Sequence, residues 1–146
     1  MKRDIRVDKV KKNFYITLLI LIAVLTLTYI YTRPPKVVKV TEHTTLVLNN
    51  GEEIKLMGVD TGSQAETFIR TRVEGREVTL KYGDQKEGNG GQILAYVYLS
   101  DDSFLNAEII TQGYGCVDKE IPSEYIEMFE RCQKDAEEKK RGMWAE

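Results

Sequence analysis

The hydrophobic pattern divides the chain near residue 33. From Phe14 to Thr32 it reads FYITLLILIAVLTLTYIYT, 19 residues without a charge. As a helix rising 1.5 Å per residue this run covers about 28 Å, close to the ~30 Å hydrocarbon core of a bilayer. Beyond Pro34 the apolar residues come in short blocks. Val37–Val40 is apolar and β-branched and predicts a strand. Thr45–Leu48 and Glu53–Met57 flank Asn49-Asn50-Gly51, a turn sequence suited to positive φ, and predict a β-hairpin. Gln64–Val73 carries apolar residues at helical spacing, with Gly75 as the stop. Glu77–Tyr82 and Ile93–Leu99 predict two strands, separated by the glycine-rich loop Gly83–Gly91, and Asp101-Asp102 marks the turn after the second. Asn106–Gln112 predicts a short helix stopped at Gly113. Pro122-Ser123 opens a last helix running to Arg141, with Tyr125, Met128, Phe129 and Cys132 along one face and Gly142 ending it. Strands and helices do not alternate as βαβ units, so the fold class is α+β with an antiparallel or barrel sheet. No internal repeat is present.

Charge follows the same division. Met1–Arg33 holds seven basic and two acidic residues; from Pro34 onward 14 Lys and Arg face 21 Asp and Glu, a net charge of −7 that the whole-chain value of −2 conceals. Six cations precede the apolar run, so the positive-inside rule puts Met1–Asn13 in the cytoplasm and the remaining domain on the far side of the membrane. Tyr15, Tyr29 and Tyr31 stand near the ends of the run, where amphipathic rings favour the interface. The competing interpretation is a cleaved signal peptide. Against it stand the length of the run and the segment TYIYTRPPK, which lacks small residues for cleavage. The expected organisation is a basic tail (1–13), a transmembrane helix (14–32), a stiff prolyl linker (33–36) and one domain (37–146). The basic tail sets topology and touches anionic lipid. Thr17, Ala23, Thr26 and Thr28 would let the helix pack closely against others. An acidic domain repels polyanions, which argues against nucleic acid as a partner. The partners expected are the membrane and other proteins of a membrane complex.

The segments NNGEEIKLMGVDT, GREVTL, ILAYVYL, LNAEIITQGYGCV and DAEEKKRGMW occur in this order across Val37–Trp144. Together they resemble the staphylococcal-nuclease (thermonuclease-like) domain, and LAYVYL…LNAEIITQGYG with the terminal GMW is the most telling part. The resemblance implies a five-stranded OB-type barrel with three helices, which agrees with the element order read from the pattern. It also implies calcium-dependent phosphodiester hydrolysis, in which carboxylates hold the metal, a glutamate acts on the attacking water and arginines stabilise the phosphate.

Carried over position by position, the family's functional residues are mostly absent. The DGDT motif falls on Thr41-Glu42-His43-Thr44, which puts His43 where a metal-binding aspartate is expected. The first arginine becomes Lys55. The aspartate and threonine of DTPE are kept as Asp60 and Thr61, but the proline and glutamate become Gly62 and Ser63. The second arginine becomes Gln92. One catalytic carboxylate of three survives and neither arginine does. Lys55 keeps a charge without the bidentate fork, Gln92 has no charge, and Ser63 is no general base at neutral pH. The resemblance with these losses implies a catalytically inactive nuclease-like domain that serves as a binding or assembly subunit, with no cofactor. The alternative is a metal-dependent phosphodiesterase with a rebuilt site, using calcium.

Asp60-Thr61-Gly62-Ser63 also resembles the active-site loop of aspartic proteases, which with one copy per chain would require a homodimer. The plainer interpretation is a polar turn after a strand. His43 is the sole histidine, and a His43/Asp60 pair is too few ligands for a structural zinc. Cys116 and Cys132 are the only cysteines. An oxidising compartment would allow a bridge between them, stabilising by about 3 kcal/mol. Two buried free thiols are the equal alternative.

Overall fold

The computed structural model describes residues 2–41, 45–88 and 91–145. It falls into two units, one up to Arg33 and one from Pro34 onward. The first is a single helix, α1 (Lys2–Thr32). Within it Val10–Thr32 is long and apolar enough to cross a membrane. Its threonines bond to the helix's own backbone. Thr17, Thr28 and Thr32 donate to carbonyls four residues earlier, at 2.9, 2.7 and 2.8 Å. Arg33 donates to the Tyr29 hydroxyl and lies 4.4 Å from the centre of that ring, the pairing expected where a helix meets an interface.

The second unit contains β1 (Val37–Val40), β2 (Leu46–Leu48), β3 (Glu53–Leu56), β4 (Val59–Thr61), α2 (Ala65–Val73), β5 (Val78–Lys81), β6 (Ile93–Leu99), α3 (Leu105–Thr111), β7 (Gly115–Val117) and α4 (Ile126–Glu138), then a 3-10 turn (Gly142–Trp144). Five strands form one sheet in the order β1-β2-β3-β6-β5, antiparallel except for β3 beside β6. The expected hairpin forms as β2–β3, with Leu46 opposite Ile54 and Gly51 at φ +87° in the turn. The sheet curls until its edges meet. Val37 N donates to Arg76 O at 3.0 Å and Val78 N to Pro35 O at 2.9 Å. Joining the first and last strands removes the open edge, the defining device of a small barrel.

β6 lies between β3 and β5, and it carries four consecutive buried residues, Leu94 to Val97. It is covered by sheet neighbours on both sides and by α3, so it reads as a continuous apolar run rather than an alternation. Asn106 on α3 is fully buried, accepts from Val97 N at 2.9 Å and donates to Met57 O at 3.0 Å. One amide thereby joins the helix to β6 and to the bend between β3 and β4. Phe129 of α4 is buried within a ring cluster that includes Tyr96, Phe104 and Tyr125.

Several expected element ends move by one residue, and two larger differences have a clear physical reason. The short strands β4 and β7, which pair with each other, do not stand out as elements in the pattern, because three residues carry too little periodicity. The hairpin's second strand ends at Leu56 rather than Met57. The last helix spans Ile126–Glu138 rather than Pro122–Arg141. At its start, Ser123 holds a turn by accepting from Tyr125 N through its side chain and from Ile126 N through its carbonyl. At its end, Arg141 turns away to donate to Thr111 O and Asp135, both at 3.0 Å.

Candidate functional site

The carried-over positions lie on two ladders that meet at the β3–β4 bend. On β3, Ile54 and Leu56 point into the core, so the alternation turns Lys55 outward. Because β3 and β6 run parallel with Ile54 opposite Ile93, Gln92 enters beside the start of β3. Its amide does not project freely: Gln92 Nε2 donates to Thr45 Oγ1 at 3.1 Å, and Thr45 is itself buried at the entry to β2. Sequence reasoning did not single out Thr45, and no pattern marks it, since its role depends on the pairing of distant strands.

Gly58, at φ +74°, turns the chain from β3 into β4 against Phe129 and Ser123. Asp60 then faces Cys116 and Thr61 faces Gly115 across the β4–β7 ladder. Asp60 is exposed. Gly62 N donates to Tyr114 O at 2.8 Å, and exposed Ser63 lies in the turn that leads into α2, where Ala65 N donates to Gly62 O. No hydrogen bond or ion pair among the described residues joins Lys55, Asp60, Ser63 and Gln92 to one another. The arginines on α2 do not replace the missing ones. Arg72 forms a two-pronged pair with Glu108 at 2.7 and 2.9 Å, and Arg70 is engaged by Glu66.

Cys116 and Cys132 are free thiols. Cys132 packs against the core from α4, while Cys116 sits on the ladder beside Asp60. Burial pushes the Cys116 thiol pKa above its ordinary value of 9.0, and the Asp60 and Asp118 carboxylates push it further up. A thiol held protonated beside carboxylates is a poor nucleophile and a poor ligand. His43, where a metal-binding aspartate is expected, lies outside the described residues. Among the described residues no three His, Cys, Asp or Glu side chains gather as a metal cluster. The described donors around Asp60 do not by themselves fit calcium, which takes six to eight oxygens and favours several carboxylates.

Residues 45–146 match the family model described as staphylococcal nuclease homologue. The chain belongs to the staphylococcal nuclease family. It is 26% identical over 127 residues to a thermonuclease of Staphylococcus hyicus, covering 75% of each chain. It is 28% identical over 107 residues to a thermonuclease of Staphylococcus intermedius, covering 64% of this chain and 63% of that one. An uncharacterised Bacillus anthracis protein is 33% identical over 107 residues, covering 68% of this chain and 49% of that one. The family match begins at Thr45, so the segment that carries His43 precedes it. This membership accounts for the α+β barrel with three helices, here with the apolar α1 ahead of it. It also removes the footing of the protease interpretation, because Asp60-Thr61-Gly62 leads from β4 into α2 rather than into a second apolar strand.

Proposed function

We propose that this is a membrane-tethered nuclease-like domain that has lost phosphodiester hydrolysis and acts as a binding or assembly subunit. The observation that carries this reading is the fate of the second arginine's position: Gln92 is uncharged and its amide is tied to buried Thr45. With Lys55 and Ser63 at the other positions, a phosphate would meet one ammonium instead of two bidentate guanidiniums, and water would meet no glutamate. Each such group supplies orders of magnitude of rate, so their joint loss removes useful turnover. In this reading α1 holds the domain at the membrane, the basic tail lies in the cytoplasm and the acidic domain faces outward toward protein partners.

A second reading, a phosphodiesterase with a rebuilt site, draws on the retained Asp60-Thr61 pair at the β4–β7 ladder. One assay separates the two. The full chain in detergent is incubated with single-stranded DNA and RNA, with and without calcium, beside its Asp60→Ala variant. The binding-subunit reading expects no cleavage above the protein-free blank. Calcium-dependent cleavage that disappears in the variant would overturn it in favour of the rebuilt site.

A further inference from the structure

A cleft of about 400 Å³ opens at the end of the β5–β6 ladder, and Asp60 is not among the residues that line it. Buried Met57 and Tyr96 form its floor, Tyr82 stands at one wall with 44% of its surface exposed, and Ser123 and Glu124 close the other. The floor is fixed from behind. The Tyr96 and Ser123 hydroxyls are hydrogen-bonded at 2.9 Å, and the Tyr96 ring packs edge-on against Tyr125.

Two features of the rim point to an occupant. The β5–β6 ladder ends at Lys81↔Tyr96, and the chain then runs along the cleft through Gly83, Asp84 and Gln85. The main-chain groups of these three residues bond to no described residue. Gly83 allows this close course, since a Cβ there would lie 2.6 Å from the Met57 methyl carbon. The second feature is charge. Glu124 is already satisfied by Lys81 at 3.2 Å, and that ammonium is held by the Tyr125 hydroxyl at 2.7 Å. Asp84 is exposed and has no hydrogen-bond or ion-pair partner among the described residues. No lysine or arginine lines the cleft.

We propose that this cleft docks an extended segment of a partner protein, which pairs its main chain with Gly83–Gln85 and lays one lysine or arginine side chain over Tyr82 toward Asp84. Free main-chain groups beside a pocket are what strand addition requires. An aromatic wall with an unpaired carboxylate suits the apolar stem and charged head of a cationic side chain. The inference rests on the reading of the domain as a binding subunit and names the kind of partner it would take.

The test uses the full chain in detergent micelles with 13C-methyl-labelled methionine, since the Met57 methyl lies on the cleft floor. The probes are Ac-Thr-Lys-Thr-Thr-amide, its glutamate counterpart and spermidine. The lysine peptide shifts the Met57 methyl signal and leaves those of Met128 and Met143 in place. Asp84→Asn, an exposed change, weakens that binding about fivefold, the value of one exposed ion pair. An unmoved Met57 signal, or an equal response to the glutamate peptide, overturns the proposal. Spermidine moving Met57 as strongly as the lysine peptide would also overturn it, by assigning the cleft to free amines. An inactive domain with a silent cleft sinks this inference alone, whereas calcium-dependent nuclease activity would remove the reading beneath it.

Discussion

At the scale of single residues, this barrel depends on groups whose partners are far away in sequence. Asn106 is the clearest case, since its amide satisfies one donor and one acceptor that no water reaches. Asn106→Ala should cost about 2–4 kcal/mol, because Val97 N and Met57 O would both stay buried and unpaired. Urea denaturation followed by circular dichroism measures it, and a loss below half a kcal/mol would mean that water takes the place of the amide. Cys116 makes a prediction in pH. Burial first, then Asp60 and Asp118, hold its thiol protonated past the ordinary value of 9.0. In a Cys132→Ser background, iodoacetamide alkylation should therefore rise only above pH 9. Asp60→Asn should move the midpoint down but not back to the ordinary value, because burial remains. A midpoint near pH 8 in the Cys132→Ser chain with Asp60 intact would contradict this placement of Cys116. Asp60 itself was legible from its motif. Its pairing with Cys116 was not, because the cross-strand register that joins them is a property of two three-residue strands.

At the scale of elements, the long or strongly patterned segments were readable and the short ones were not. Ile93–Leu99 was read to the residue because seven apolar positions leave little room for another assignment. The last helix is shorter at both ends than its pattern predicts, since the Ser123 hydroxyl is held by Tyr96 and Arg141 by Thr111 O, tertiary hydrogen bonds that local propensity does not contain. Its hold on the barrel is Phe129, fully buried on the packed face. Phe129→Ala should destabilise by about 3–5 kcal/mol, the usual cost of emptying an aromatic site in a core. A shift of the urea midpoint reads this, and an unchanged midpoint would mean that α4 is dispensable to the barrel. For α1 the decisive property is uncharged length. A Leu21→Arg/Ala23→Arg double change places two cations mid-run at about 2.5–3.5 kcal/mol each. The altered chain should leave the membrane pellet on carbonate extraction. Retention there would show that something other than α1 anchors the protein.

At the scale of the whole molecule, a basic tail, an apolar helix and an acidic domain occupy one short chain, and charge separates them more sharply than the total of −2 suggests. The acidic surface has a consequence that needs no active site. The full chain should fail to retard single-stranded DNA in a gel at physiological salt, because binding draws its affinity from cations that this domain lacks in excess. Retardation at that salt would reveal a local basic patch strong enough to override the net charge. The barrel closes through Val37, Val78 and their carbonyl partners, joining residues about forty positions apart. Asp60 lies on the separate β4–β7 ladder, whereas the cleft follows the end of the β5–β6 ladder and reaches the β3–β4 bend at Met57.

The sequence by itself determined the apolar run, the charge division and the family. Each is a matter of residue identity or of periodicity over enough positions to be unambiguous. The tertiary structure decided the rest. It set Gln92 against Thr45, Asp60 against Cys116, the true ends of the last helix, and the meeting of Tyr82, Asp84 and Ser123 around one cleft. These pairings follow from strand register and barrel closure, which bring together residues whose separation along the chain carries no signal of their contact.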